Sequence, residues 1–226
     1  LLAQNQVLWF KRLDAETDNL RAVIEWSSET GEAESALRLV GALLWFWFSY
    51  GSTREGCELS VRAILASTGD RFPAPRARAL NTAGFLLCLL GDTLQARQLL
   101  EEALTLHQEL QDSAVLAWTL QFLGLALAYD QEYDRADLVF SEGLAYTQAL
   151  DGPRGNNFLH FRGDIDMLRG DFARARKVYE ESAGMLRSIG SRSFLAYPLR
   201  RLGYLALWEQ DFQAAGECFQ ESLKIN

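Results

Sequence analysis

Four glycines, Gly84, Gly124, Gly163 and Gly203, recur at spacings of 40, 39 and 40 residues. Four alanines, Ala96, Ala136, Ala175 and Ala215, recur at the same spacings. A period of this length means that one supersecondary unit is copied and stacked, each copy unable to bury its apolar face alone. Each copy has the same order: Gly, a Gly-Asp or Gln-Asp/Glu turn, Ala, and a large residue four positions after the Ala. The large residues are Leu100, Phe140, Tyr179 and Phe219.

The positions have a common physical reading. A glycine in mid-helix costs about 1 kcal/mol against alanine. It is tolerated where a second helix crosses too closely for a Cβ atom. The alanine twelve residues later marks the same crossing from the other helix. The large residue one turn further on fills the gap beside the glycine. Gly91-Asp92 and Gly170-Asp171 suit a left-handed helix end followed by an N-cap. A degenerate copy spans 37–66, with Gly56 in the alanine position and Leu44 replacing the glycine.

The coarse expectation is eleven helices: about 14–29, 33–50, 53–67, 75–90, 93–110, 113–129, 133–149, 155–169, 172–189, 194–209 and 212–225. Asp14 or Asp18 caps the first. Pro73 and Pro75 mark a loop, as do Asp151-Gly152-Pro153, and Pro198 sits in the first turns of its helix or kinks it. The fold class expected is all-α: a right-handed solenoid of about five helical hairpins plus an N-terminal helix. Residues 1–12 read as a stub from an upstream region and 13–226 as the repeat domain. The run Leu43–Tyr50 is apolar all round its helix, which suits burial on every side or, left uncovered, self-association.

Charge and composition exclude several classes. The formal net charge is −8, and no run of Lys and Arg supplies the cationic stripe that phosphate contacts need. Nucleic-acid binding by this segment is therefore not expected. Cys57, Cys88 and Cys218 match no metal or redox spacing and read as small core residues in a reducing, cytoplasmic setting. The apolar stretches Leu43–Phe48 and Ala83–Leu90 are far short of the roughly 20 residues that span a bilayer. His107 and His160 are the only histidines, so neither a metal cluster nor a histidine-based triad is expected. Glu101-Glu102 and Glu180-Glu181 read as solvated outer faces. No enzyme activity, cofactor or metal is expected.

Leu120-x2-Leu123-Gly124…Ala136-x3-Phe140 resembles the tetratricopeptide repeat pattern, with a period of 40 instead of 34 and the first aromatic replaced. The segment Trp9–Trp26, with Gly170–Arg176 and Tyr179–Ser182, resembles the repeat region of large bacterial ATP-dependent regulators of the LuxR type, including activators similar to the maltotriose-responsive one. No G-x-x-x-x-G-K-[ST] phosphate loop occurs in the chain. The resemblance implies that the repeats sense an effector or a partner, and that the first helix of each hairpin lines a concave groove.

Carried onto this chain, the groove stripe relative to each glycine gives Arg78, Asn81, Phe85 and Cys88, then Trp118, Gln121, Leu125 and Ala128. It continues with Asn157, His160, Asp164 and Met167, then Tyr197, Arg200, Tyr204 and Leu207. The degenerate copy offers Arg38, Gly41, Trp45 and Phe48. Of these, Arg38, Trp45, Arg78, Asn81, Phe85, Trp118, Gln121, Asn157, His160, Asp164, Tyr197, Arg200 and Tyr204 form the candidate ligand-binding set. Aromatics mixed with Arg, Asn, Gln and His suit a protein, peptide or small-molecule effector. The alternative is a scaffold or adaptor without a transcriptional role. A clamp for a carboxylate tail would want groove lysines, and the stripe has none.

Overall fold

The computed structural model describes residues 6–67, 71–151 and 159–225. Among these residues the chain is all-α, with no strand. The helices are α1 (Gln6–Ala15), α2 (Thr17–Glu29), α3 (Ala33–Ala42), α4 (Leu44–Ser49), α5 (Thr53–Ala66), α6 (Pro73–Leu90) and α7 (Thr93–Glu109). They continue with α8 (Ser113–Tyr129), α9 (Tyr133–Asp151), α10 (Leu159–Arg169), α11 (Phe172–Ser188), α12 (Arg192–Trp208) and α13 (Phe212–Ile225). The fold is a solenoid of tetratricopeptide-like hairpins. It divides into two compact units, residues 10–143, and residues 144–226 with 1–9.

In the unit of residues 10–143, α6 packs against α5 and α7, and also against α3 and α8. First helices thus meet first helices of neighbouring hairpins, and the second helices α5 and α7 each pack on the first helix of the next hairpin as well as on their own. In the other unit α10, α11, α12 and α13 pack in sequence order, each against the next.

The close crossings fall where the period places them. A Cβ on Gly124 would lie 2.9 Å from the Phe140 Cβ and 3.1 Å from the Ala136 carbonyl oxygen. A Cβ on Gly84 would lie 2.6 Å from the Leu100 Cγ and 3.1 Å from the Ala96 carbonyl oxygen. Gly163 faces the Tyr179 ring, and Gly203 the Phe219 ring, in the same manner. In the degenerate copy the roles are exchanged: Trp47, fully buried, occupies the crossing, and Gly56 on the second helix omits the Cβ.

Helix ends follow local chemistry. Gly91 (φ 90°) and Gly170 (φ 86°) end α6 and α10 in the left-handed region, which costs glycine nothing. Asp92 and Asp171 then accept from the backbone N–H of Gln95 and Arg174 at 3.2 and 3.0 Å. After α8 and α12 the same left-handed position holds Gln131 (φ 65°) and Gln210 (φ 63°). A side chain there is strained. Gln131→Gly is therefore expected to raise stability by up to about 1 kcal/mol, since relief of left-handed strain outweighs the added chain entropy. A denaturation midpoint lower than that of the parent chain would refute this.

Several expectations need correction. Thirteen helices are described, not eleven. Residues 6–15 form α1, and Phe10 is buried, its ring 6.2 Å from those of Phe46 and Tyr50. The expected helix 33–50 breaks at Leu43 into α3 and α4. The cap of α2 is Glu16 instead of Asp14 or Asp18; its carboxylate caps no backbone N–H and accepts from the Asn19 side chain at 2.7 Å. Asp14 lies inside α1, and Asp18 in the first turn of α2 pairs with Arg21 at 2.8 Å. Pro73 and Pro75 open α6 instead of forming a loop, because unbonded first-turn positions accept proline freely. Pro198 lies within α12, where its ring nitrogen cannot donate to the Phe194 carbonyl. The turn at 152–153 lies outside the described residues. Glu101, Glu102, Glu180 and Glu181 are exposed, as expected.

Candidate functional site

The expected residues gather into two groups, each within one unit. In residues 10–143, α4, α6 and α8 bring together an aromatic cluster centred on Trp45. Its ring stands edge-on to Trp118 at 5.8 Å and to Phe48 at 6.0 Å, and lies 6.3 Å from Phe85. Phe85 stacks on Phe122 at 4.2 Å. Trp45, Phe48 and Trp118 are half-buried, whereas Phe85 and Phe122 have no exposed surface. Phe85 is thus placed behind the tryptophans, supporting them. Edge-on aromatic packing of this kind adds about 0.5–1.5 kcal/mol per pair beyond area burial and holds the rings in place.

One turn before Phe85 and Leu125 on their helices stand Asn81 and Gln121. Both are buried, 2% and 0% exposed. The Asn81 carboxamide oxygen and both amide atoms of Gln121 have no hydrogen-bond partner. Each such buried group left unpaired costs about 1–3 kcal/mol. Two at equivalent positions of successive repeats is a pattern that folding alone does not reward. Arg78 is exposed and pairs with Asp112 at 3.2 Å. With Arg38, which pairs with Glu34 at 2.7 Å, it lines a cleft of about 320 Å³ that Gly41 and Pro75 also border.

The second group lies on α10, α11 and α12. Asp164 is buried, and both its oxygens are engaged. Tyr179 and Tyr197 each donate a phenolic hydrogen bond at 2.6 Å, and the Arg201 guanidinium pairs with it at 2.9 Å. Burial pushes the Asp164 carboxyl up, against the pull of Arg201 and then of the phenols. Burial, and then Asp164, push both phenols far above the ordinary tyrosine value. Burial works against the Arg201 charge, but Asp164 and the phenols outweigh it and hold the guanidinium above its usual value. His160 is buried, its ring 4.7 Å from Tyr197 and 4.4 Å from Phe161. Arg200 is exposed over the Tyr197 ring at 5.2 Å, and Tyr204, 45% exposed, meets Phe219 edge-on. Asn157 lies outside the described residues.

Phe122, Phe161 and Arg201 escaped the sequence reading. Phe122 sits one position from Leu123 and outside the stripe. Arg201 sits beside Arg200, about 100° round the helix. The available signal for Arg201 was its spacing of four from Tyr197, to whose phenol it donates at 2.8 Å. Among the described residues no group of three or more His, Cys, Asp or Glu is placed to hold a metal ion. No helix among them is long and apolar enough to cross a membrane.

Comparison with known proteins agrees with this architecture. The Tetratricopeptide repeat family profile matches residues 75–149. Provisionally named HTH-type transcriptional regulators of Mycobacterium tuberculosis and Mycobacterium bovis are 28% identical over 218 residues, 93% of this chain. The chain spans 24% of the length of those relatives. Among solved structures, BtubC from P. vanneervenii superposes with a TM-score of 0.62 at 18% identity, covering 92% of this chain and 90% of that one. The apo form of RapI superposes with a TM-score of 0.58 at 10% identity, covering 98% and 97%. These likenesses show a tetratricopeptide-like fold, a scaffold that typically is not catalytic.

Proposed function

We propose that this chain is the effector-binding region of a cytoplasmic transcriptional regulator, and that residues 10–143 bind a protein, peptide or small effector through the first-helix face. Likeness to the mycobacterial proteins supports the regulatory setting, and the Trp9–Trp26 and Gly170–Arg176 segments support the LuxR-type, ATP-dependent class. One observation carries the binding site: the unpartnered carboxamides of Asn81 and Gln121 lie within a turn of the aromatic cluster of Trp45, Phe85 and Trp118. An effector that supplies hydrogen-bonding groups there removes a cost the free chain bears. The half-buried tryptophans offer it apolar faces, and Arg38 and Arg78 at the neighbouring cleft offer charge. In the unit of residues 144–226, taken by itself, Arg200 and Tyr204 are the accessible members of the candidate set, while His160, Asp164 and Tyr197 are buried.

The test uses Gln121→Leu and Trp118→Ala. Gln121→Leu removes an unsatisfied amide without opening a cavity, so the melting temperature is expected to hold or rise. Trp118→Ala is expected to cost less than about 3 kcal/mol, the lower bound for a fully buried tryptophan. In the intact regulator both changes should abolish the transcriptional response to its inducer. A response equal to that of the parent in both variants would overturn the assignment.

A further inference from the structure

One position after the repeat alanine, or after Gly56 in the degenerate copy, each second helix carries a residue whose type changes from copy to copy. These residues are Arg97, Asp137, Arg176 and Gly216, with Cys57 in the degenerate copy. Arg97 reaches Glu132, in the turn between α8 and α9, at 2.6 Å, and Glu101 on its own helix at 3.1 Å. Arg176 reaches Glu209, in the turn after α12, at 2.6 Å. At both corners one arginine supplies an apolar stem over the helix and a cation to an acid of the following hairpin.

At Cys57 the arginine is absent, and the corner is an open cleft of about 750 Å³. That is within the usual range of roughly 300–1,000 Å³ for small-molecule sites. Val61, Leu65 and Leu87 give it apolar walls, and Glu29 and Glu58 border it. Arg62 also borders it, but its charge is met by Glu25 at 2.9 Å. Among the described residues neither Glu29 nor Glu58 has a cationic partner. Asp92 is the counterpart of Glu132 one period earlier. Burial, then Glu58 and Asp92, push the Cys57 thiol up to about 11 against the weaker opposing pull of Arg54, so the field at this corner is negative.

We infer that this cleft binds an organic cation with an apolar stem, of the alkylguanidinium class, in the place that arginine side chains fill at 97 and 176. The aromatic cluster takes no part in this site. The ligand's stem lies over Val61, Leu65 and Leu87, and its guanidinium faces Glu29, Glu58 and Asp92. The repeat itself provides the precedent for the chemistry: a guanidinium bridging consecutive hairpins.

The experiment is calorimetric titration of the whole chain with hexylguanidinium, and with hexanol and hexanoate as neutral and anionic counterparts. The guanidinium is expected to bind at least about tenfold more tightly than either counterpart. The double variant Glu29→Gln/Glu58→Gln should weaken it about tenfold. Cys57→Arg should abolish binding, because the chain then fills its own corner. Equal affinity for the three compounds, or no heat with the guanidinium up to roughly 10 mM, would overturn the inference. Undiminished affinity in the double glutamine variant or in a folded Cys57→Arg would do the same. If Cys57→Arg does not fold, the double variant decides alone, since both of its carboxylates are exposed and, among the described residues, without a cationic partner.

Discussion

Asp164→Ala should lower stability by about 3–5 kcal/mol, as expected when one partner of a buried ion pair is removed. The loss is large because three groups depend on this carboxylate. Arg201 would keep its charge at a partly buried position, and the phenols of Tyr179 and Tyr197 would lose their acceptor. The cluster ties α10, α11 and α12 together, so the effect should appear as faster amide exchange in those three helices. Asp164→Asn keeps an acceptor for one phenol and should fall between. Glu221→Gln is the control. Its pairing with Arg187 is two-pronged at 2.7–3.0 Å but exposed, and such pairs contribute at most about 1 kcal/mol. A change below about 1 kcal/mol in Asp164→Ala would show that the cluster holds nothing together.

Gly124→Val is expected to cost about 3 kcal/mol, at the upper end of what overpacking does. The atoms its side chain would meet are the Phe140 Cβ and backbone and the Ala136 carbonyl oxygen, none of which can swing aside. Helix α8 must then move away from α9 and give up contact along the crossing. Gly184 and Gly216 supply the contrast. Both lie inside helices, and a Cβ added at either would meet nothing within 4 Å. Gly184→Ala and Gly216→Ala should stabilise by up to about 1 kcal/mol through helix propensity alone. Chemical denaturation monitored by circular dichroism distinguishes the two classes. A neutral Gly124→Val would mean that the crossing is looser than the repeat requires.

The crossings were legible because they are a repeated local demand. A helix pair that approaches closely must omit a Cβ at one point and fill the space one turn away, and Gly124, Ala136 and Phe140 meet that demand in order. The turns were legible for the same reason where glycine marks them. At Gln131 and Gln210 the left-handed position is hidden by a residue with no preference for it, and only the backbone reveals it.

The candidate site was legible only in part. A stripe drawn at helical spacing names the residues that share one face of one helix, and three that it named, Trp45, Phe85 and Trp118, stand together in one cluster. It carries no information about what the neighbouring helices bring to that face. Phe122 buries Phe85, and Tyr179 with Arg201 turns Asp164 from a free carboxylate into the centre of a closed network. It likewise gave no sign that the amide atoms of Gln121 would end without a partner.

By itself, then, the sequence determined the period, the hairpin, the repeated crossing points and the caps at Asp92 and Asp171, since each depends on residue types within a few turns. Tertiary structure alone decided which polar side chains are spent internally, which remain unsatisfied, and where a missing arginine leaves a cleft. Those outcomes depend on partners 15 to 35 residues away, as with Tyr179 to Asp164 and Arg97 to Glu132, whose side chains meet only once the helices have packed.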